Sequence, residues 1–189
     1  MTALRICSLL WTVLGLVWLV AALRTKPSQE RAPLGSRLAY GLPVVLAFYL
    51  LFNEHVRVHW LHLEIIPGYP FFAELGVALT ALGIALAIWA RFYIGQNWSS
   101  AVSIKVGHQL IRTGPYGWVR HPIYSGLLLA TVGTAIVRGE VRGAFAVILL
   151  WFAFWIKLRM EEVFMRKTFG PEYENYAAST GALIPRLRL

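Results

Sequence analysis

Five apolar runs dictate what this chain can fold into: Ile6–Leu23, Leu38–Phe52, Phe71–Ala90, Ile123–Val137 and Gly143–Ile156. A helix crosses the roughly 30 Å hydrocarbon core of a bilayer with about 20 apolar residues. The first and third runs approach that length. The other three are short, which predicts tilt, snorkelling flanks or burial inside a bundle. Backbone groups left unpaired in lipid are costly, so spans of this kind are helical. The expectation is an all-α polytopic membrane protein with about five transmembrane helices. Composition agrees: the chain is 58% hydrophobic and 14% charged, whereas a soluble domain is about 45–50% apolar and about a quarter charged. Little mass is left for a separate soluble domain. The natural division is an N-terminal transmembrane hairpin and connector, 1–70, followed by a membrane core, 71–189.

The first run reads as a span and not as a removable leader. It exceeds the usual 7–15 apolar residues of a signal peptide, and no A-x-A-like cleavage site precedes Arg24. The single cysteine, Cys7, lies in that run and cannot form an internal disulfide.

A net charge of +9 would suit nucleic acid, but its distribution points elsewhere. With five spans, fourteen Lys and Arg fall in the loops of one side, from Arg24 and Arg37 through Arg91, Arg112 and Arg120 to Lys157, Arg166 and Arg188. Only Arg5, Arg57, Arg138 and Arg142 fall on the other. Positive-inside bias then puts the N-terminus outside and the C-terminus in the cytoplasm. The basic excess is an orientation signal and an attraction to anionic membrane lipid, with no nucleic-acid partner expected.

Loop one, Arg24–Arg37, carries Pro27, Pro33 and Gly35 and reads as a solvated connector. His55, His59 and His62 fall at i, i+4, i+7 on a possible helix face, a spacing a metal site would use. Trp60, Leu61 and Leu63 favour an interfacial amphipathic piece instead, and no metal is expected. Gly95–Ser100 reads as a turn with Trp98 at the headgroup level, followed by a short alternation over Ala101–Val106.

The stretch from Gly114 to Gly126 places Arg120, His121, Tyr116 and Tyr124 beside two prolines, where polar sequence gives way to an apolar run. Polar side chains at a membrane boundary are expensive to desolvate, so a functional role is the default expectation. The bland alternative is a basic turn ahead of a transmembrane helix. The fifth apolar run ends without a breaker: helix-favouring residues continue to Gly170-Pro171. That predicts a helix projecting from the bilayer with Lys157 and Glu161 on one face, at the level of the Arg120-His121 loop. Tyr173 and Tyr176 then bring aromatic surface back to the same place.

Three blocks together resemble the isoprenylcysteine carboxyl methyltransferase family of integral membrane enzymes. They are His108-Gln109-Leu110-Ile111 with Gly114-Pro115-Tyr116; Arg120-His121-Pro122-Ile123-Tyr124-Ser125-Gly126; and Glu161-Glu162 with Phe169-Gly170-Pro171-Glu172-Tyr173 and Pro185. The resemblance spans roughly Phe71 to Arg188. It implies methyl transfer from S-adenosylmethionine to a lipid-borne carboxylate, in a cytoplasmic pocket closed by the C-terminal segment. By motif it puts His108, Gln109, Leu110, Ile111, Tyr116, Arg120, His121, Pro122, Ile123 and Tyr124 around the cofactor, with Glu161 and Glu162 contacting it. The family's substrate-binding arginine, one turn before that glutamate, is here Lys157, with Arg159 nearby. Lysine keeps the charge and loses the bidentate fork.

The chemistry is consistent with the residues alone. No glycine-rich strand-to-helix turn of the dinucleotide-binding kind is present. A sulfonium donor and a carboxylate acceptor cancel their charges as the methyl moves, so positioning and water exclusion are the protein's main contributions. A free α-carboxylate, with a pKa of about 3.3–3.7, needs no general base. An amine acceptor needs one, and Glu161 or Glu162 would serve, so phospholipid N-methylation stays open. A reductase using NADPH would want more spans and more basic residues. A non-catalytic membrane subunit or carrier would tolerate loss of Arg120, His121 and Glu161.

Overall fold

In the computed structural model, which describes residues 2–22, 28–31, 33–95, 98, 103–105 and 110–186, each apolar run is a helix. They are α1 (Ala3–Ala22), α2 (Leu34–Phe52), α3 (Pro70–Ile94), α4 (Pro122–Arg138) and α5 (Val141–Phe169), followed by a short α6 (Pro171–Ser179). The helices α1, α2, α3 and α5 are long and apolar enough to cross a membrane, while α4 has 17 residues. At 1.5 Å per residue α4 is about 25 Å long, a few ångströms under a bilayer core. Its limits are written locally. Pro122 sits in its first turn, where a missing N–H costs nothing. Gly139 caps its other end in the left-handed region, φ 70°.

α3 and α4 meet through glycine. A Cβ on Gly83 would lie 2.4 Å from the Gly126 carbonyl oxygen, and one on Gly126 would lie 2.5 Å from that of Gly83. Gly76 and Gly133 repeat the contact at 2.6 and 2.5 Å. Two backbones this close exchange dispersion contacts that no larger residue permits, the usual basis of helix pairing in lipid. Hydroxyls then fasten α1 to the pair. Trp11 Nε1 donates to Thr134 Oγ1 at 3.0 Å, Thr134 Oγ1 is 3.2 Å from Thr80 Oγ1, and Cys7 Sγ donates to Thr80 at 3.6 Å.

The two ends of the bundle differ in chemistry. At one, an ion network built on two buried arginines joins the ends of α2, α4 and α5. Arg138 grips Glu54 with both terminal nitrogens at 2.9 and 3.1 Å, and Arg142 Nε donates to Glu140 Oε2 at 2.7 Å. Arg142 Nη1 donates to the Asn53 carbonyl at 2.7 Å. His62 joins them, 3.0 Å from Glu140 Oε2 and 2.7 Å from the Val56 carbonyl, whereas His55 and His59 are exposed. Buried arginines are tolerated because nearly every donor has a carboxylate or carbonyl acceptor.

At the other end, part of loop one is ordered by pairing. Ser28–Arg31 (β1) runs antiparallel to Ser103–Lys105 (β2), with Ser28 opposite Lys105 and Arg31 opposite Ser103. The connector reading of 24–37 is thus incomplete: backbone groups beside a membrane surface satisfy one another where both segments reach the same end. α5 has 29 residues, about 43 Å of helix, so its last turns stand beyond a bilayer core, as its unbroken sequence predicts. Gly170, at φ 50°, then turns the chain into α6.

Candidate active site

The loop ahead of α4 is shaped by Gly114, whose φ of 58° is open to glycine and where an added Cβ would lie only 2.6 Å from the Tyr93 ring. The chain after α6 lies across this loop and bonds to it by backbone. Arg120 N donates to the Gly181 carbonyl at 2.8 Å, His121 N to that of Ala182 at 3.0 Å, and Ser125 Oγ to that of Leu183 at 2.7 Å. Tyr176 adds a fourth tie, its hydroxyl donating to the Tyr116 carbonyl at 2.6 Å. Burial pushes the Tyr176 phenol up to about 12, so it stays a donor.

Beneath this strap, α4 and α5 bring opposite charges together. Arg120 donates through Nε (2.9 Å) and Nη2 (2.6 Å) to Glu162 Oε1. Its Nη1 donates to the carbonyls of Ala177, at 3.1 Å, and Thr180. His121 Nδ1 lies 3.5 Å from Glu161 Oε2 and its Nε2 lies 3.4 Å from Glu162 Oε1. Burial works against a charged ring, yet the two carboxylates outweigh it and His121 titrates above the ordinary histidine value. Tyr124 donates its hydroxyl to Glu161 Oε1 at 2.6 Å. The Tyr124 ring is stacked between His121, 5.6 Å away, and Phe154, 4.7 Å away. One turn before Glu161, Lys157 Nζ lies over the Tyr124 and Tyr40 rings at 5.4 and 5.3 Å.

Lys157 also heads a cavity of about 270 Å³ between α1, α2, α4 and α5. Tyr40 lies beside it, and Val44, Leu127 and Phe154 continue the wall inward. Trp11 and Phe48 meet edge to face, 4.9 Å apart, at mid-bundle. The lining is almost wholly apolar, as suits a hydrocarbon.

The residues singled out by sequence divide into those gathered here and those that are not. Tyr116, Arg120, His121, Tyr124, Lys157, Glu161 and Glu162 converge. Pro122 and Ile123 are buried beneath them, starting α4 and packing its core, and Ile111 packs on the same core. Leu110 is half-buried on the approach to the loop. His108 and Gln109 lie outside the described residues. Arg159 is not gathered in: two positions beyond Lys157 is about 200° around a helix, and its guanidinium lies 5.6 Å over the Trp155 ring on the exposed face. Two contributors escape the sequence reading. Tyr40 sits in the N-terminal hairpin, outside the span of the resemblance, and nothing in its neighbours marks it. A closing C-terminal segment is expected from the resemblance, but that this strap acts through the carbonyls of Thr180–Leu183 is something side-chain motifs do not reveal.

The chain is similar to known membrane methyltransferases. Residues 71–172 match the family model described as phospholipid methyltransferase. A probable protein-S-isoprenylcysteine O-methyltransferase of Oryza sativa subsp. indica is 31% identical over 75% of this chain and 75% of its own length. The protein-S-isoprenylcysteine O-methyltransferase of Saccharomyces cerevisiae is 32% identical over 59% of this chain and 48% of its own. The solved structure of a eukaryotic intramembrane Ras methyltransferase, isoprenylcysteine carboxyl methyltransferase, superposes with a TM-score of 0.56 at 25% identity. That likeness covers 77% of this chain, which spans about half, 52%, of the larger protein. The Arg120–Gly126 loop and the Glu161-Glu162 pair both fall inside the matched region, and the chain belongs to the isoprenylcysteine carboxyl methyltransferase family of integral membrane methyltransferases.

Proposed function

We propose that this protein moves a methyl group from S-adenosylmethionine to the carboxylate of a lipophilic, isoprenylcysteine-like acceptor at the cytoplasmic face of the membrane. One observation carries the reading: Glu161, held by His121 and Tyr124, stands one helical turn from Lys157, which heads an apolar cavity. Paired carboxylates beside stacked aromatic rings suit a cationic donor. By sequence, fourteen of the eighteen Lys and Arg flank the apolar runs on the side of Arg120 and Glu161, which favours the cytoplasmic side.

Glu161 and Glu162 would hold the cofactor's positive end, with Tyr116 beside them and Tyr124 positioning Glu161 through its hydroxyl. When bound, the cofactor supplies an electrophilic methyl on a sulfonium. Lys157 would orient the acceptor carboxylate toward it while the cavity takes up the hydrocarbon. The strap of Thr180–Leu183 excludes water, which matters because the reacting charges cancel and a dry site favours that cancellation. No residue has to remove a proton, since the acceptor is already ionised.

Two measurements test this. S-adenosylmethionine at about a hundred times its Kd should stabilise the detergent-solubilised protein by about 2.7 kcal/mol, and NADPH should not. Tritium from labelled cofactor should enter a base-labile, volatile product. Alkali-stable label would replace the carboxylate with an amine acceptor, and no thermal response to the cofactor would end the proposal.

A further inference from the structure

The cavity below Lys157 has a built end. Along α2, Tyr40 and Phe48 are eight residues apart, and along α5, Lys157 and Leu150 are seven apart; all four line it. At 1.5 Å per residue its depth is about 10–12 Å, less than the roughly 15 Å of one bilayer leaflet's hydrocarbon. A whole membrane acyl tail therefore does not fit within it.

The far end is rigid. Trp11 Nε1 donates to Thr134 Oγ1 at 3.0 Å, an indole N–H that would otherwise go unsatisfied in lipid. The Phe48 ring meets Trp11 edge to face at 4.9 Å and is backed by Phe52, stacked at 6.0 Å. The hydroxyl network of Thr80 and Thr134 thereby acquires a purpose beyond joining helices: it fixes the plane of the Trp11 ring. Five of the nine lining residues belong to α1 and α2, outside the matched region 71–172.

We propose that the Trp11–Phe48 pair is a chain-length stop, so that the N-terminal hairpin selects acceptors with one short hydrocarbon chain. The occupant is the acceptor's own tail, since Lys157 belongs at once to the cavity and to the polar site above it. This rests on the lipophilic-acceptor reading.

The test uses full-length protein in nanodiscs and a homologous series of S-alkyl thioether carboxylates brominated on the terminal carbon. Affinity should rise about fourfold per added methylene until the chain reaches the stop, and then level off. Quenching of tryptophan fluorescence by the bromine should peak at that length and largely vanish in Trp11→Phe. Phe48→Ala, or Phe48→Leu if the former fails to retain its thermal response to S-adenosylmethionine, should move the break to longer chains. A break that stays put in both variants, an affinity that climbs through the series, or quenching unchanged in Trp11→Phe overturns the stop. These readouts need no turnover. Failure of label transfer to every chain length, with the quenching pattern intact, would instead count against the methyl-transfer reading alone.

Discussion

Arg120 Nη2 lies 2.6 Å from Glu162 Oε1, and the same guanidinium donates to the carbonyls of Ala177 and Thr180. One side chain therefore ties the start of α4 to α5 and to the strap. Both partners are largely buried, at 12% and 6% side-chain exposure. Removing one leaves the other uncompensated, so Glu162→Ala should destabilise the protein by roughly 3–5 kcal/mol. The double variant Arg120→Met, Glu162→Leu should recover part of that loss. Chemical unfolding in detergent measures both; a double variant no better than the single one would mean the pair's packing matters more than its charge.

The elevated pKa of His121 has a definite sign. Folded His121 binds its proton more tightly than the unfolded chain, so its contribution is complete below the ordinary value of about 6.5. It is lost as pH rises through the elevated folded value. Stability should accordingly decline across that window on the alkaline side, and His121→Asn should flatten the profile there. A variant profile parallel to the wild type would place the titration elsewhere.

The α3–α4 contact separates packing from chemistry. A methyl on Gly83 would meet Ala130 N and Gly126 O at 2.4 Å, and backbone cannot yield as a side chain can. Gly83→Ala should cost about 1–3 kcal/mol or more through overpacking. Gly15→Ala, with nothing within 4 Å, should be neutral or slightly stabilising because alanine is the better helix former. Melting of the two variants side by side checks this; equal behaviour would mean the helices part without cost.

Much of this was legible because lipid leaves few options. Apolar runs had to become helices, and the unbroken sequence from Lys157 to Phe169 had to project. The meeting of His121 with Glu161 followed from placing both at one membrane boundary. Position around a helix was less legible: Arg159 and Lys157 are both cationic, and only the rotation between them sends one outward. Tyr40 was hidden because α2 reads as apolar on every face. Strand pairing of Ser28–Arg31 depends on a partner more than seventy residues away, which no local pattern announces.

Lys157 offers the sharpest division between donor and acceptor. Its ammonium lies over two rings, one from each half of the chain, and heads the apolar cavity, while the carboxylates of Glu161 and Glu162 sit beyond it. If it holds the acceptor carboxylate, Lys157→Met removes a charged hydrogen bond worth about 1.5–3 kcal/mol. The expected result is a roughly ten- to hundredfold fall in kcat/KM for a lipophilic carboxylate, carried mainly by KM. The thermal shift with S-adenosylmethionine should persist. Lys157→Arg should restore most of the activity, because a guanidinium supplies the same charge with a planar fork. A Met variant that loses the cofactor response instead would assign Lys157 to the donor side of the site.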